Sequence, residues 1–388
     1  MEKKYKLKML DTFRKMSATC FILGLWNSQH WKASFPRIFT CLLFLSCTLS
    51  TTLQVLITDD NDESVFLGVT TLICVVQTYR LFYIILKQRK VIDLMQSSSA
   101  SSTDDYEAFC NVMQKLTNFT MFVKYFLATT FSSFLLALFT PLVTKQLMFN
   151  IAFPLDYKTD DNAFWMAYAF ITASFLLSVT CCLLTSMNWY IMMNFVVKFE
   201  LLGNDFKNLG VTTVEAEGQE SISLTSRQAK QTLYLRHLIE AIKSLESTTE
   251  LLDEFASTFS SLFLLQIFTS SLSICGGVYS LAFSSHDDPI QDGFYSIVEF
   301  YCFFDTFALM YLGNEIMVSS DKLSYCLFES NWIEQTQSCK RNILILVEYL
   351  QQPQQIIVCK LFPLNLESFS IIVNRAYSMF NLLQNFRT

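Results

Sequence analysis

Long apolar runs alternate with shorter polar ones along most of the chain. Seven segments are apolar over about the 20 residues that a helix needs to cross a bilayer. They are 38–57, 64–86, 122–143, 164–196, 256–283, 293–318 and 366–386. The fourth is longer than a bilayer requires, which predicts tilt or an extension beyond the membrane. Between the fourth and fifth, 210–226 is polar and turn-prone. The stretch 227–256 is different. Leu235, Leu238, Ile242, Leu245 and Leu252 recur at helical intervals, so an amphipathic helix is expected to run on into the fifth span. Its stripe calls for packing within the chain or between subunits, and the sequence leaves both open. The polar, low-complexity stretch 96–105 reads as a flexible linker.

Composition agrees with a membrane protein. Hydrophobic residues make up 52% of the 388 positions and charged residues only 16%, where a soluble domain is near a quarter charged. The fold class expected is therefore all-α: one polytopic seven-helix membrane domain over 1–388, with cytoplasmic helix extensions.

Positive charge gives the direction. The segments before span one and after spans two, four and six hold twenty-two Lys and Arg, against three on the other side. By the positive-inside rule the N-terminus is cytoplasmic and the C-terminus extracellular. That is the reverse of a G-protein-coupled receptor. The basic start lacks the apolar stretch and cleavage site of a signal peptide, so none is expected.

Few features suggest chemistry. The chain has 12 cysteines, none in a segment read as external, so a disulfide framework is not expected. No Cys or His spacing suggests a metal, and no cofactor or nucleic-acid partner is expected. An enzyme would need a nucleophile or paired acids, but Glu299 and Asp305, six residues apart, do not share a helix face. A transporter would show inverted repeats and helices broken by Gly or Pro. This chain has nine Gly, six Pro and no visible repeat.

Several motifs resemble the insect odorant-receptor family. Leu312-Gly313-Asn314-Glu315 ends the sixth span, and Leu323 and Phe328-x-x-x-Trp332 follow, with Phe328 where the family has Tyr. An apolar run over 343–350 closes on Gln351-Gln352-Pro353. Phe362-Pro363-Leu364-Asn365 leads into the last span, which contains Tyr377-Ser378-Met379-Phe380. The sister gustatory receptors carry Thr-Tyr, five residues, then Gln-Phe in that span. Here Ala376 precedes Tyr377, six residues intervene before Gln384, and Asn385 follows. The odorant reading is favoured, and the chain looks like a ligand-tuning subunit, since the family's co-receptor is longer.

The resemblance implies a ligand-gated, non-selective cation channel in the plasma membrane of sensory neurons. It implies a heterotetramer with an odorant co-receptor, opened by a small volatile organic ligand. Segments 197–255 and 319–350 would gather the subunits, and 366–388 would line the pore. Aligned on the family, Leu382 falls at the hydrophobic constriction and Asn385 at a polar ring, with Ser378 and Asn381 as further polar positions. The ligand site is expected between helices, with Thr70, Cys74, Phe131, Phe134, Leu138, Trp165, Tyr168, Phe294, Val298 and Tyr301 as candidates. Arg80, Lys124, Glu299, Asp305 and Arg375 are charges at membrane depth. Each is costly there unless it finds a partner, water or an interface.

Overall fold

The computed structural model describes residues 5–7, 11–22, 25–26, 35–58, 61–147, 149–210, 225–283 and 289–387. These form ten α-helices and four short strands. The helices are α1 (Asp11–Ile22), α2 (Phe35–Ile57), α3 (Asn61–Leu86), α4 (Gln88–Ser99), α5 (Tyr106–Thr144), α6 (Asp161–Lys207), α7 (Thr225–Phe283), α8 (Pro289–Phe328), α9 (Gln337–Leu350) and α10 (Leu366–Arg387). All seven predicted spans lie within α2, α3, α5, α6, α7, α8 and α10.

Six of the described helices, α2, α3 and α5 to α8, are long and apolar enough to cross a membrane. The seventh, α10, has 22 residues, or about 33 Å, and so has the length. It is less apolar because Glu367, Asn374, Arg375 and Asn381 interrupt it.

The ends of these helices are set by local chemistry. Asp105 caps α5 by accepting from the backbone N–H of Glu107 at 2.9 Å. Asp160 caps α6 through Asn162 at 3.0 Å, and Asn365 caps α10 through Ser368 at 2.8 Å. Lys145 closes α5 in the left-handed region, at φ 53°.

Helices α5 to α8 contain 39, 47, 59 and 40 residues. At 1.5 Å per residue they reach about 60–90 Å, two to three times the bilayer's hydrocarbon core. The N-terminal ends of α5 and α7 and the C-terminal ends of α6 and α8 overhang together, and α4 and α9 pack with them. The core of this extension is dense: Phe195, Phe199 and Phe206 of α6 meet Tyr234 and Phe255 of α7, Leu327 of α8 and Ile343 of α9, all buried.

Along α7 the buried positions are Tyr234, Leu238, Ala241, Leu245, Thr248, Leu252, Phe255, Phe259 and Leu262. Their spacing alternates four and three, the seam of a helix gripped along one line. This corrects the expected stripe. Leu238, Leu245 and Leu252 belong to the seam, whereas Leu235 and Ile242 lie beside it. With Ile239 they form a second, exposed apolar line.

The stretch 96–105 is not a flexible linker. Its first part completes α4, whose Val91, Leu94, Met95 and Ser98 are buried. Ser101–Thr103 then forms strand β2, antiparallel to β1 (Tyr5–Leu7). The ring of Tyr5 stacks on Phe109 at 5.4 Å, which fixes the chain's start against α5. Helix α1 inserts Phe13 against Tyr190 at 3.9 Å.

At the other end, the loop before α6 folds over the bundle. Phe149 and Ile151 are buried with Phe66, Leu67 and Ile171. Ser50 on α2 donates to the Ala152 carbonyl at 2.8 Å. A second hairpin, β3 (Ile357–Val358) with β4 (Phe362–Pro363), delivers the chain to α10.

Candidate functional site: an interhelical cavity and an unpaired helix face

A cavity of about 530 Å³ lies between α3, α5, α6, α7 and α8. Its size falls in the range of small-molecule sites, roughly 300–1,000 Å³. On α8 it runs from Gly293 to Asp305, and on α5 from Thr140 to Phe126. At 1.5 Å per residue that is about 20 Å of helix. Leu136 and Gly293, both exposed, mark its mouth. Arg80, Gln266 and Asp305 mark its floor.

The walls are mainly apolar, from Ile73, Val76, Phe134, Phe175, Ile297 and Val298. Towards the floor, Tyr301 meets the ring of Phe126 edge-on at 5.8 Å, and Phe126 packs on Trp189 at 4.9 Å and on Phe304 at 5.7 Å. This aromatic cluster ties α5, α6 and α8 together. Such ring pairs contribute about 0.5–1.5 kcal/mol each beyond their area.

The floor is a hydrogen-bonded chain across three helices. Arg80 Nη2 on α3 donates to Gln266 Oε1 on α7 at 3.2 Å. Gln266 Nε2 donates to Asp305 Oδ2 on α8 at 2.7 Å. Arg80 is only 5% exposed, so a cation and an anion are both withdrawn from water and linked through one amide. Arg80 Nε, Asp305 Oδ1 and Gln77 Oε1 are buried without a protein partner.

Of the predicted ligand residues, Phe134, Val298 and Tyr301 line the cavity. Thr70, Cys74, Phe131, Leu138, Trp165 and Tyr168 do not. Phe131 and Trp165 are exposed, and Tyr168 donates to the Leu138 carbonyl at 2.9 Å in a neighbouring contact between α5 and α6. The side chain of Phe294 lies outside the described residues. On α5 the cavity faces Phe126, Thr130, Ser133, Ala137 and Thr140, about one residue's rotation from the face of Phe131 and Leu138. Sequence reasoning missed the floor as a site. The signal was present in Gln77, Arg80, Gln266 and Asp305, polar groups inside apolar spans. Of the other membrane-depth charges, Lys124 is exposed. Glu299 lies against α7 where Gly277 leaves room for its carboxyl group.

Helix α10 packs on α7 and α8 through Ser368, Phe369, Ile372 and Ala376. Phe369 meets Phe303 and Phe307 edge-on at 5.4 and 5.5 Å. The opposite face carries Ile371, Asn374, Arg375, Ser378 and Leu382, spaced as one helical stripe and all exposed. Asn381 borders this stripe and is half-buried. The side chain of Asn385 lies outside the described residues.

The chain matches the model of the family described as 7tm Odorant receptor over residues 62–377. It is 25% identical to odorant receptor 94a of Drosophila melanogaster over 244 residues, 62% of this chain and 58% of that one. It is 24% identical to odorant receptor 33b of the same fly over 245 residues, 62% of this chain and 60% of that one. The chain thus spans less than two thirds of the length of these relatives. Its fold resembles the solved structure of the insect olfactory receptor OR5 from Machilis hrabei in complex with eugenol. The TM-score is 0.79 at 14% identity, over 97% of this chain and 98% of that one.

Proposed function

This chain belongs to the 7tm odorant receptor family, a family of membrane receptors rather than enzymes, and we propose that it is the ligand-tuning subunit of a cation channel. In this reading it assembles as a heterotetramer with an odorant co-receptor in the plasma membrane of sensory neurons. The observation that carries the reading is the outer stripe of α10. Asn374 and Arg375 on one exposed face are costly against lipid, where each polar group has to find a partner, whereas Ser378 on the same face donates to the Asn374 carbonyl at 2.9 Å. The same face around a shared water-filled path has no such cost. Residues 366–388 then line the pore. Leu382, 58% exposed in the single chain, forms the apolar constriction that gates by dewetting. Ser378, Asn381 and Asn385 supply polar surface beside it.

The exposed line of Leu235, Ile239 and Ile242 supports the companion role of 197–255 and 319–350 as the region that gathers subunits. The ligand, a small volatile organic molecule, occupies the 530 Å³ cavity against Phe134, Val298 and Tyr301.

The mechanism is a population shift. A ligand that fits better when α10 has moved outward raises the open fraction by its difference in affinity. The cavity's α8 wall and α10 are joined through Phe303, Phe307 and Phe369, so a change at the wall has a packed route to the pore helix.

The test is whole-cell current from cells expressing this chain with and without a co-receptor, challenged by a broad volatile panel under G-protein blockade. Current that needs both subunits and persists under blockade supports the proposal. Surface-expressed complexes that respond only through G proteins would sink it.

A further inference from the structure

The polar groups around the cavity are unequal in kind. Thr130, Ser133, Thr140 and Thr269 line it, and each spends its hydroxyl proton on a carbonyl of its own helix, at 2.7–3.0 Å. Their oxygens are left with lone pairs only, so towards a ligand they accept. Asp305 Oδ1 and Gln77 Oε1 are also acceptors without a protein partner. On the donor side, the unpartnered group at the floor is Arg80 Nε. Tyr301 shares its hydroxyl with Ser133 at 3.4 Å. The floor therefore presents both unmet acceptors and an unmet guanidinium donor.

From this pairing of unmet donor and acceptors we propose that the cavity selects a ligand with a hydroxyl head, an alcohol or a phenol, lodged at the Arg80–Gln266–Asp305 floor with its apolar body towards the mouth. The inference rests on the reading of the cavity as the ligand site. A hydroxyl donates one bond to an acceptor such as Asp305 Oδ1 or Gln77 Oε1 and can accept from Arg80 Nε–H. An ether or ketone can accept from Arg80 Nε–H but leaves Asp305 Oδ1 and Gln77 Oε1 unmet. A carboxylate meets the Asp305 anion. A protonated amine satisfies Asp305 but sits beside the Arg80 cation. Unmet hydrogen bonds at buried polar groups are what make polar sites discriminating.

The experiment compares straight-chain alcohols with the methyl ether, aldehyde, amine, carboxylic acid and hydrocarbon of matched heavy-atom count. Two readouts are taken: evoked current from the complex, and ligand-induced thermal stabilisation of the full chain purified in lipid nanodiscs. The alcohols are expected to act at about tenfold lower concentration than the matched ethers, the scale of one good hydrogen bond to a buried polar group. Gln77→Leu and Thr269→Val should each narrow that ratio. Asp305→Asn should narrow it further. Gln77→Leu keeps the test decisive if Asp305→Asn fails to fold.

Equal potency of alcohol and ether, a preference for the amine or acid, or no stabilisation by any alcohol would overturn the assignment. Evoked current without hydroxyl preference removes this inference and leaves the channel reading standing. Stabilisation by alcohols without current from any volatile does the reverse.

Discussion

Gly313 and Leu364 touch backbone to backbone. A Cβ on Gly313 would lie 2.5 Å from the Cβ of Leu364 and overlap its carbonyl oxygen. This contact gives the Leu312-Gly313-Asn314-Glu315 motif its physical content. It lets the segment that leads into α10 cross α8 at the closest possible approach. The obstacle includes backbone, so it cannot swing aside as a long side chain would. Gly313→Ala should cost about 1–3 kcal/mol of stability, as overpacking does, or shift the start of α10. Thermal unfolding of the purified chain, together with basal current, checks this. An alanine variant matching wild type in both would refute the tight crossing.

Lys115 on α5 pairs with Glu200 on α6 and lies 3.8 Å from Glu315 on α8. The three side chains are about one-third exposed, so solvent screens much of the attraction. A double-mutant cycle between Lys115→Met and Glu200→Gln should give a coupling of no more than about 1 kcal/mol, weakening with salt. A coupling near zero at low salt would show that the pair only decorates the surface.

If Leu382 forms the constriction, Leu382→Ala should raise current in the absence of ligand. Unchanged basal current and unchanged block would remove it from the gate. Ala376, on the buried side of the same helix, separates the two roles. Ala376→Leu should destabilise packing on α7 and α8 and lower surface expression, without a selective effect on permeation.

Arg375 places a positive charge on the same stripe. In a shared path it repels divalent cations more strongly than monovalent ones. Arg375→Gln should therefore raise calcium permeability relative to sodium, read from reversal potentials. No shift would place Arg375 away from the ions.

Asp156, in the loop before α6, accepts from the Thr159 hydroxyl at 2.8 Å and from the Lys158 N–H at 3.1 Å. The Thr159 bond, then the Lys158 N–H, holds its carboxyl below the ordinary 3.8. The sign follows from linkage. The contribution is present above the unfolded value and is lost as pH falls through the lower folded value. Backbone exchange in this loop should thus stay constant from neutral pH down to about 4 once intrinsic rates are corrected. It should rise only below that, and Asp156→Asn should remove the transition.

Much of the fold was legible because membrane spans declare themselves by length and apolarity. All seven expected segments are helical, and their alternation brings the overhangs of α5 to α8 to one end. What local pattern could not supply was packing partner and helix rotation. The serine-rich stretch 96–105 looked unstructured because its strand partner, Tyr5–Leu7, is distant in sequence. Helix α1 showed no strong periodicity; its place depends on Phe13 finding Tyr190. For the cavity, Phe134, Val298 and Tyr301 were foreseeable as aromatic and branched residues in the right spans. Turning α5 by about one residue decides whether Phe131 or Thr130 faces inward, and no single-helix pattern fixes that. The floor was the converse case. Arg80, Asp305 and Gln266 each stood out as polar groups in apolar spans, but that Gln266 joins the other two was not legible.

From Thr225 to Cys275, α7 contains no Gly or Pro, and it carries Gln266 at the cavity floor and Tyr234 in the far core. About 48 Å of unbroken helix therefore connects the two. Such a rod has no hinge in which to absorb a small rotation, so it behaves as a lever. A tether, an antibody fragment or a chemical modification near its N-terminal end would load the floor mechanically. If the cavity holds the ligand, a load at that far end acts on its floor without entering the ligand site.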